Sequence, residues 1–217
     1  MRLIITFAAA VGVVLTACQR EVPDNQTAEN KVVAPPPAAA KRAIEASFDC
    51  GRANGQAQEL VCADANLAAM DREVARLAGL ALEPAALADW AQQRDDCWKS
   101  DELRQCVMAA AMLKIHGLRQ GSDVARQSEG LSVGPVAFSC KGIAGPVLAT
   151  FVNSEPGAVA LEWGGQSIAI DHATAASGAK YDGRWNGQQY GFWTKGKEAT
   201  LTVAGKGDLQ CVETPAT

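Results

Sequence analysis

The sequence predicts an α+β chain of two domains: a small disulfide-bonded α-helical domain, then an antiparallel β-barrel of about eight strands. Three observations carry that expectation. From Leu60 to Ala81, apolar residues recur at alternating steps of three and four, the spacing of one helix face. Beyond residue 135 the spacing becomes two, the period of a half-buried strand, and Gly-Gly and Asn-Gly pairs stand where hairpins would turn. Seven cysteines run through 217 residues, four of them in the helical stretch and two in the β stretch; small secreted domains are commonly stapled in this way.

Residues 1–17 read as a lipoprotein signal peptide. Met-Arg opens the chain, an apolar run from Leu3 to Ala17 follows, and Cys18 ends it. The run is shorter than the roughly 20 residues that span a bilayer and suits the apolar core of a secretory signal. Leu15-Thr16-Ala17-Cys18 resembles the lipobox of bacterial lipoproteins. That resemblance implies a diacylated Cys18 that holds the protein on a membrane. With Gln19 rather than Asp following, it implies an outer-membrane lipoprotein facing the periplasm. The alternative is an ordinary signal peptide with an incidental Cys. Residues 18–45, with Ala-Pro-Pro-Pro-Ala-Ala-Ala and balanced charge, read as a tether that lifts the folded part off the lipid.

Residues 46–125 form the expected helical domain. Leu60, Ala63, Leu67, Met70, Val74, Leu77 and Ala81 share one face. Glu83-Pro84 interrupts the run, and Pro at a first helical position starts a second helix with Leu87, Trp90 and Arg94. Ser100-Asp101-Glu102 opens a third, carrying Leu103, Val107, Ala110, Leu113 and Leu118, with Gly121 to end it. Secretion places Cys50, Cys62, Cys97, Cys106, Cys140 and Cys211 in an oxidising space, where they read as three disulfides. The first four allow three pairings. The local pairs Cys50–Cys62 and Cys97–Cys106 are favoured, each closure being worth roughly 3 kcal/mol. Zinc is the weaker reading: no Cys-x-x-Cys occurs, and His116 and His172 sit apart from any Cys pair. No metal or cofactor is expected.

Residues 126–134, rich in Ser, Gln and Gly, read as a linker. The barrel is expected over 135–213, with strands near 136–140, 147–153, 158–163, 166–171, 179–184, 188–194, 199–204 and 208–212. Val159, Leu161 and Trp163 point one way, and Gly164-Gly165 and Asn186-Gly187 make two-residue hairpin loops. Cys140 on the first strand and Cys211 on the last could be bonded, tying the end strands together as barrel closure requires.

Two family resemblances follow, one per domain. Phe138-Ser139-Cys140, Ala176-Ser177-Gly178-Ala179-Lys180-Tyr181, Phe192-Trp193-Thr194-Lys195-Gly196, Glu198-Ala199-Thr200-Leu201 and Cys211 resemble the membrane-bound lysozyme inhibitors of c-type lysozyme (MliC/PliC). The stretch between Tyr181 and Tyr190 is longer than that family leads one to expect. Ser47-Phe48-Asp49-Cys50, Val61-Cys62-Ala63-Asp64, Leu67-Ala68-Ala69-Met70-Asp71, Trp90, Gln93-Arg94-Asp95, Cys97 and Cys106 are similar to the N-terminal domain of LprI-type lysozyme inhibitors.

The first resemblance implies a c-type lysozyme as protein partner and places Ser177 and Lys195 on loops that enter its cleft. Lys195 would bring a cation to the catalytic carboxyls, and Ser177 a hydroxyl. Gly178 and Gly196 would permit the turns that expose them, and Tyr181 would brace the Ser177 loop. Taken alone, Lys195 and Ser177 read as ordinary turn residues.

Other features point elsewhere or nowhere. A formal charge of −4 argues against nucleic acid, which needs a basic face. Asp171-His172 with Ser177 looks like parts of a triad, but adjacent strand residues face opposite ways and no Gly-x-Ser-x-Gly elbow occurs, so no enzyme is expected. Tyr181, Trp185, Tyr190, Phe192 and Trp193 either fill the barrel or stack on a sugar. His116 reads as a satisfied histidine. Residues 46–130 hold 13 acids against 9 bases, so the acidity sits on the helices, with Asp95-Asp96 and Asp101-Glu102 a solvated helix end or a docking face for a cationic protein. The competing functional readings are an envelope glycan-binding lipoprotein and a structural one. The sequence leaves the oligomeric state open.

Overall fold

The computed structural model describes residues 44–215. The expected signal peptide, Cys18 and nearly all of the tether lie outside the described residues. Among the described residues, five α-helices come first: α1 (Gln56–Ala63), α2 (Ala65–Ala81), α3 (Pro84–Asp96), α4 (Leu103–Gly121) and α5 (Asp123–Gln127). Short 3₁₀ turns occupy Cys50–Arg52 and Cys97–Lys99. Eight strands follow: β1 (Ser132–Cys140), β2 (Pro146–Val152), β3 (Ala158–Trp163), β4 (Gln166–Ala173), β5 (Ala179–Trp185), β6 (Gln188–Lys195), β7 (Glu198–Val203) and β8 (Gly207–Glu213). Each pairs antiparallel with the next, and β1 pairs with β8 to close the barrel.

Local chemistry explains most boundaries. Asp64 breaks the first helical run: its carboxylate accepts from the backbone N–H of Asn66 and Leu67 and caps α2. The run expected as one stripe is therefore two helices, and the break rotates the register. In α1 the buried residues are Ala57 and Val61, while Ala63 is exposed; in α2 the stripe holds, with Leu67, Met70, Val74 and Leu77 buried. Pro84 starts α3, whose inner face is Ala86, Trp90 and Arg94, with Leu87 38% exposed. Gly164-Gly165 and Asn186-Gly187 have positive φ at both turn positions, the geometry that matches strand twist.

The structure pairs Cys50 with Cys62, Cys97 with Cys106, and Cys140 with Cys211. The last bond joins residues directly opposed across β1 and β8.

The helical part and the barrel fall in a single compact unit. One core lies inside the barrel, around Phe138, Leu161, Ile170, Phe192 and Leu201. The other is helical, and it takes in Val152, Ala158, Ala160 and Ala169 from the strands. Both faces of β3 are thus covered, because α4 packs across β1–β4. Segment 126–134, expected as a linker, holds the end of α5 and the start of β1. Ser132 there is fully buried and donates to the Glu73 carboxylate, from N at 3.2 Å and from Oγ at 2.5 Å. Arg119, 1% exposed, donates to Ser132 Oγ at 2.6 Å and to the carbonyls of Ala125, Arg126 and Ser128. Burial pushes the Glu73 carboxyl up, but hydrogen bonds from Arg76 and Ser132 and the Arg76 charge outweigh it and hold Glu73 below its usual range.

Candidate functional site

Two turns meet at one end of the barrel. Residues 174–178 link β4 to β5, and Gly196-Lys197 links β6 to β7. In the β5–β6 ladder Ala179 lies opposite Thr194, so Gly178 and Lys195 are the next residues on either side and the turns stand next to each other. Ser177 and Lys195 are both exposed. Neither the Ser177 hydroxyl nor the Lys195 ammonium has a hydrogen-bond or ion-pair partner among the described residues.

The loop around Ser177 is held by its neighbour strand. Trp193 Nε1 donates to the Ser177 carbonyl at 2.9 Å. Gly178 has φ +72, and a Cβ there would stand 2.2 Å from the Thr194 carbonyl oxygen and 3.1 Å from Trp193 Nε1. Only glycine permits so close an approach. Gly196 sits in open space with φ +63, so conformation alone calls for glycine there.

Tyr181 is 6% exposed and packs inside, 5.8 Å from the Phe151 ring and 5.6 Å edge-on from His172. Burial raises its phenol above the usual value. The hydrogen bond that holds the Ser177 loop comes from Trp193, a residue to which sequence reasoning gave no such role. No sequence signal marks a Trp N–H as a loop clamp; only the strand register shows it.

From Ser177 a groove of about 510 Å³ runs along the outside of β5–β8, past Trp193, Asp182, Thr202 and Asp208. Lys180 pairs with Asp182 at 2.8 Å, and Thr202 donates to Asp208 at 2.6 Å. Of the five clustered aromatics, Tyr181, Tyr190 and Phe192 are buried in the barrel core, while Trp193 is 42% exposed. Trp185 packs against both cores. The long stretch between Tyr181 and Tyr190 is the β5–β6 hairpin, and its tip, Trp185-Asn186, faces α4 across a cleft.

The parts of a triad are not assembled. No hydrogen bond joins Asp171, His172 and Ser177. Burial raises the Asp171 carboxyl, with the Arg104 charge opposing. His116 is 3% exposed between α4 and the barrel, with Nδ1 2.8 Å from Thr150 Oγ1 and Nε2 3.2 Å from Glu162 Oε2. Asp95 accepts from Arg94 and Gln58, and Asp96 from Lys99.

Comparison with known proteins bears on the same end of the barrel. Residues 138–210 match the model of the family described as membrane-bound lysozyme-inhibitor of c-type lysozyme, and that span includes both turns. The chain is also similar to lipoprotein LprI of Mycobacterium tuberculosis and of Mycobacterium bovis. Each is 29% identical over 202 residues, covering 88% of this chain and 90% of the relative. That similarity runs through the helices and the barrel together. No solved structure matches the chain.

Proposed function

We propose that the protein is a lipid-anchored inhibitor of c-type lysozyme, working from the cell envelope by inserting the Ser177 and Lys195 turns into the enzyme's cleft. The observation that carries this reading is the pair of free groups, a hydroxyl and an ammonium, on adjacent turns at one exposed end of a disulfide-closed barrel. The family match over 138–210 and the similarity to a lipoprotein support it.

Glycoside hydrolysis by two carboxyls requires one of them protonated and the other ionised. A cation placed between them pairs with the ionised group and lowers the pKa of the acid, discharging the proton that catalysis needs. Lys195 performs that role, and its lack of an internal partner leaves its charge free for the cleft. Ser177 adds a neutral hydrogen bond. Trp193 and Gly178 hold the Ser177 loop in place before binding, so little ordering cost is left for association. Outer-membrane sorting through Cys18 and Gln19 belongs to the same proposal.

The test is clearing of a peptidoglycan suspension by a c-type lysozyme. The wild-type chain should block clearing. Lys195→Ala should weaken inhibition roughly 30- to several-thousand-fold, the equivalent of about 2–5 kcal/mol for truncating one partner of a buried charge pair. A loss smaller than threefold overturns the mechanism.

A further inference from the structure

We infer that the helical part carries a second binding site, a cleft for a neutral N-acetylated saccharide built around Trp98. It is separate from the barrel end and does not depend on lysozyme inhibition.

Trp98 is 63% exposed, the most exposed aromatic among the described residues. Its backbone is anchored. It sits in the turn Cys97–Lys99, whose Cys97 is 2% exposed and bonded to Cys106 on α4. The Lys99 ammonium stands 5.8 Å from the centre of the Trp98 ring, and an exposed indole on an anchored turn offers a flat apolar face at low entropic cost. Beside it opens a cleft of about 380 Å³, lined with Asn54, Gly55, Gln56, Gln58 and Asp95. That volume falls within the rough 300–1,000 Å³ range of small-molecule sites.

The polar lining selects the ligand. Gln58 Nε2 donates to Asp95 Oδ2 at 2.9 Å, and Gln58 Oε1 accepts from Asn54 N at 3.3 Å, which fixes both groups. The side-chain amides of Asn54 and Gln56 have no partner among the described residues. Each offers two donors and an acceptor, the mixed set that neighbouring sugar hydroxyls require. α1 starts at Gln56 behind Gly55, which supplies no capping side chain, so first-turn N–H groups stay open at the cleft. They suit the carbonyl of an acetamido group. An anionic ligand is disfavoured: Asp95 lines the cleft, and the nearby Lys99 is paired with Asp96 at 2.6 Å. The chemistry that fits is a pyranose face on the indole, hydroxyls on the amides and an acetamido oxygen on the helix start.

The experiment is calorimetric titration of the full chain in detergent, without lysozyme, with tri-N-acetylchitotriose, and with cellotriose as the sugar lacking acetamido groups. Saturable binding of the acetylated trimer is expected, with cellotriose weaker. Trp98→Ala should weaken binding about tenfold or more, with an unchanged melting temperature because the side chain is exposed. Gln56→Ala and Asn54→Ala should each weaken it by a smaller factor. Absence of saturable binding overturns the site, as does wild-type affinity in Trp98→Ala. Equal affinity for cellotriose overturns the acetamido assignment. Should Trp98→Ala lose its fold, wild-type affinity in both amide variants overturns the site instead.

Discussion

The two halves of the barrel share one alternating pattern and put it to different uses. On β7 the inward residues Ala199, Leu201 and Val203 are buried, while the outward Thr200 and Thr202 are half-buried and line a groove. On β3 the inward Val159 and Leu161 are buried, and so are the outward Ala158 and Ala160, because α4 lies on them. Small outward residues let a helix approach the strands closely; polar ones leave the surface for water or a partner. The outward face of a strand therefore records what covers it. The half that holds the helices is covered on both faces, and the other half, with its end turns, is left exposed along its outer face.

Breaking the covered half should have the largest effect. Arg119→Met leaves the buried Ser132 hydroxyl and the carbonyls of Ala125, Arg126 and Ser128 without their donor and removes a buried cation 3.8 Å from Glu73, and should cost about 3–5 kcal/mol. Thermal melting would show a drop of roughly 10 °C or more, and a drop below about 2 °C would mean that the polar joint carries no stability. Ala160→Leu overpacks the contact with α4 and should cost about 1–3 kcal/mol. The matched change on the free half, Thr200→Leu, should stay within about 0.5 kcal/mol. Equal costs at the two positions would remove the contrast.

Two smaller effects sharpen it. Trp193→Phe keeps the ring but loses the donor to Ser177, so lysozyme inhibition should fall several-fold, equivalent to about 1 kcal/mol, with melting unchanged. The second is pH dependence. His116 is pushed below its usual 6.5 by burial, with the Glu162 charge and hydrogen bond opposing. The folded chain thus binds that proton more weakly than the unfolded chain. Stability is fully present above about pH 6.5 and falls as pH drops below it. Glu73, also lowered, adds loss only below the usual carboxyl value of 4.5. His116→Gln should flatten the melting profile between pH 6.5 and 5; an unchanged slope would show that His116 does not set it.

Much of this could be read in advance where local chemistry decides. The eight strands were legible from alternation and from Gly164-Gly165 and Asn186-Gly187, since a two-residue turn with positive φ needs those residues. The α2 stripe was legible for the same kind of reason. The split at Asp64 was harder to see, because a capping carboxylate and an ordinary surface Asp look alike until the chain bends around it. Leu87 and Ala86 exchange places in α3 because the neighbour against which a helix packs sets its rotation, and periodicity alone leaves that open. Resemblance alone singles out Ser177 and Lys195, and it gives Trp193 no part in holding their loops.

By itself, then, the sequence determined most of which segments are helix and strand and where the hairpins turn, because those choices depend on residues a few positions apart, while it left the pairing of the first four cysteines open. Only the tertiary structure decided that α4 covers β1–β4, that Arg119 and Ser132 turn an expected linker into a buried joint, and that Trp193 holds the loop of Ser177. Those contacts join residues 13 to 59 positions apart. Their partners are chosen by packing and by the demand that every buried polar group be satisfied, conditions that exist only once the chain has folded.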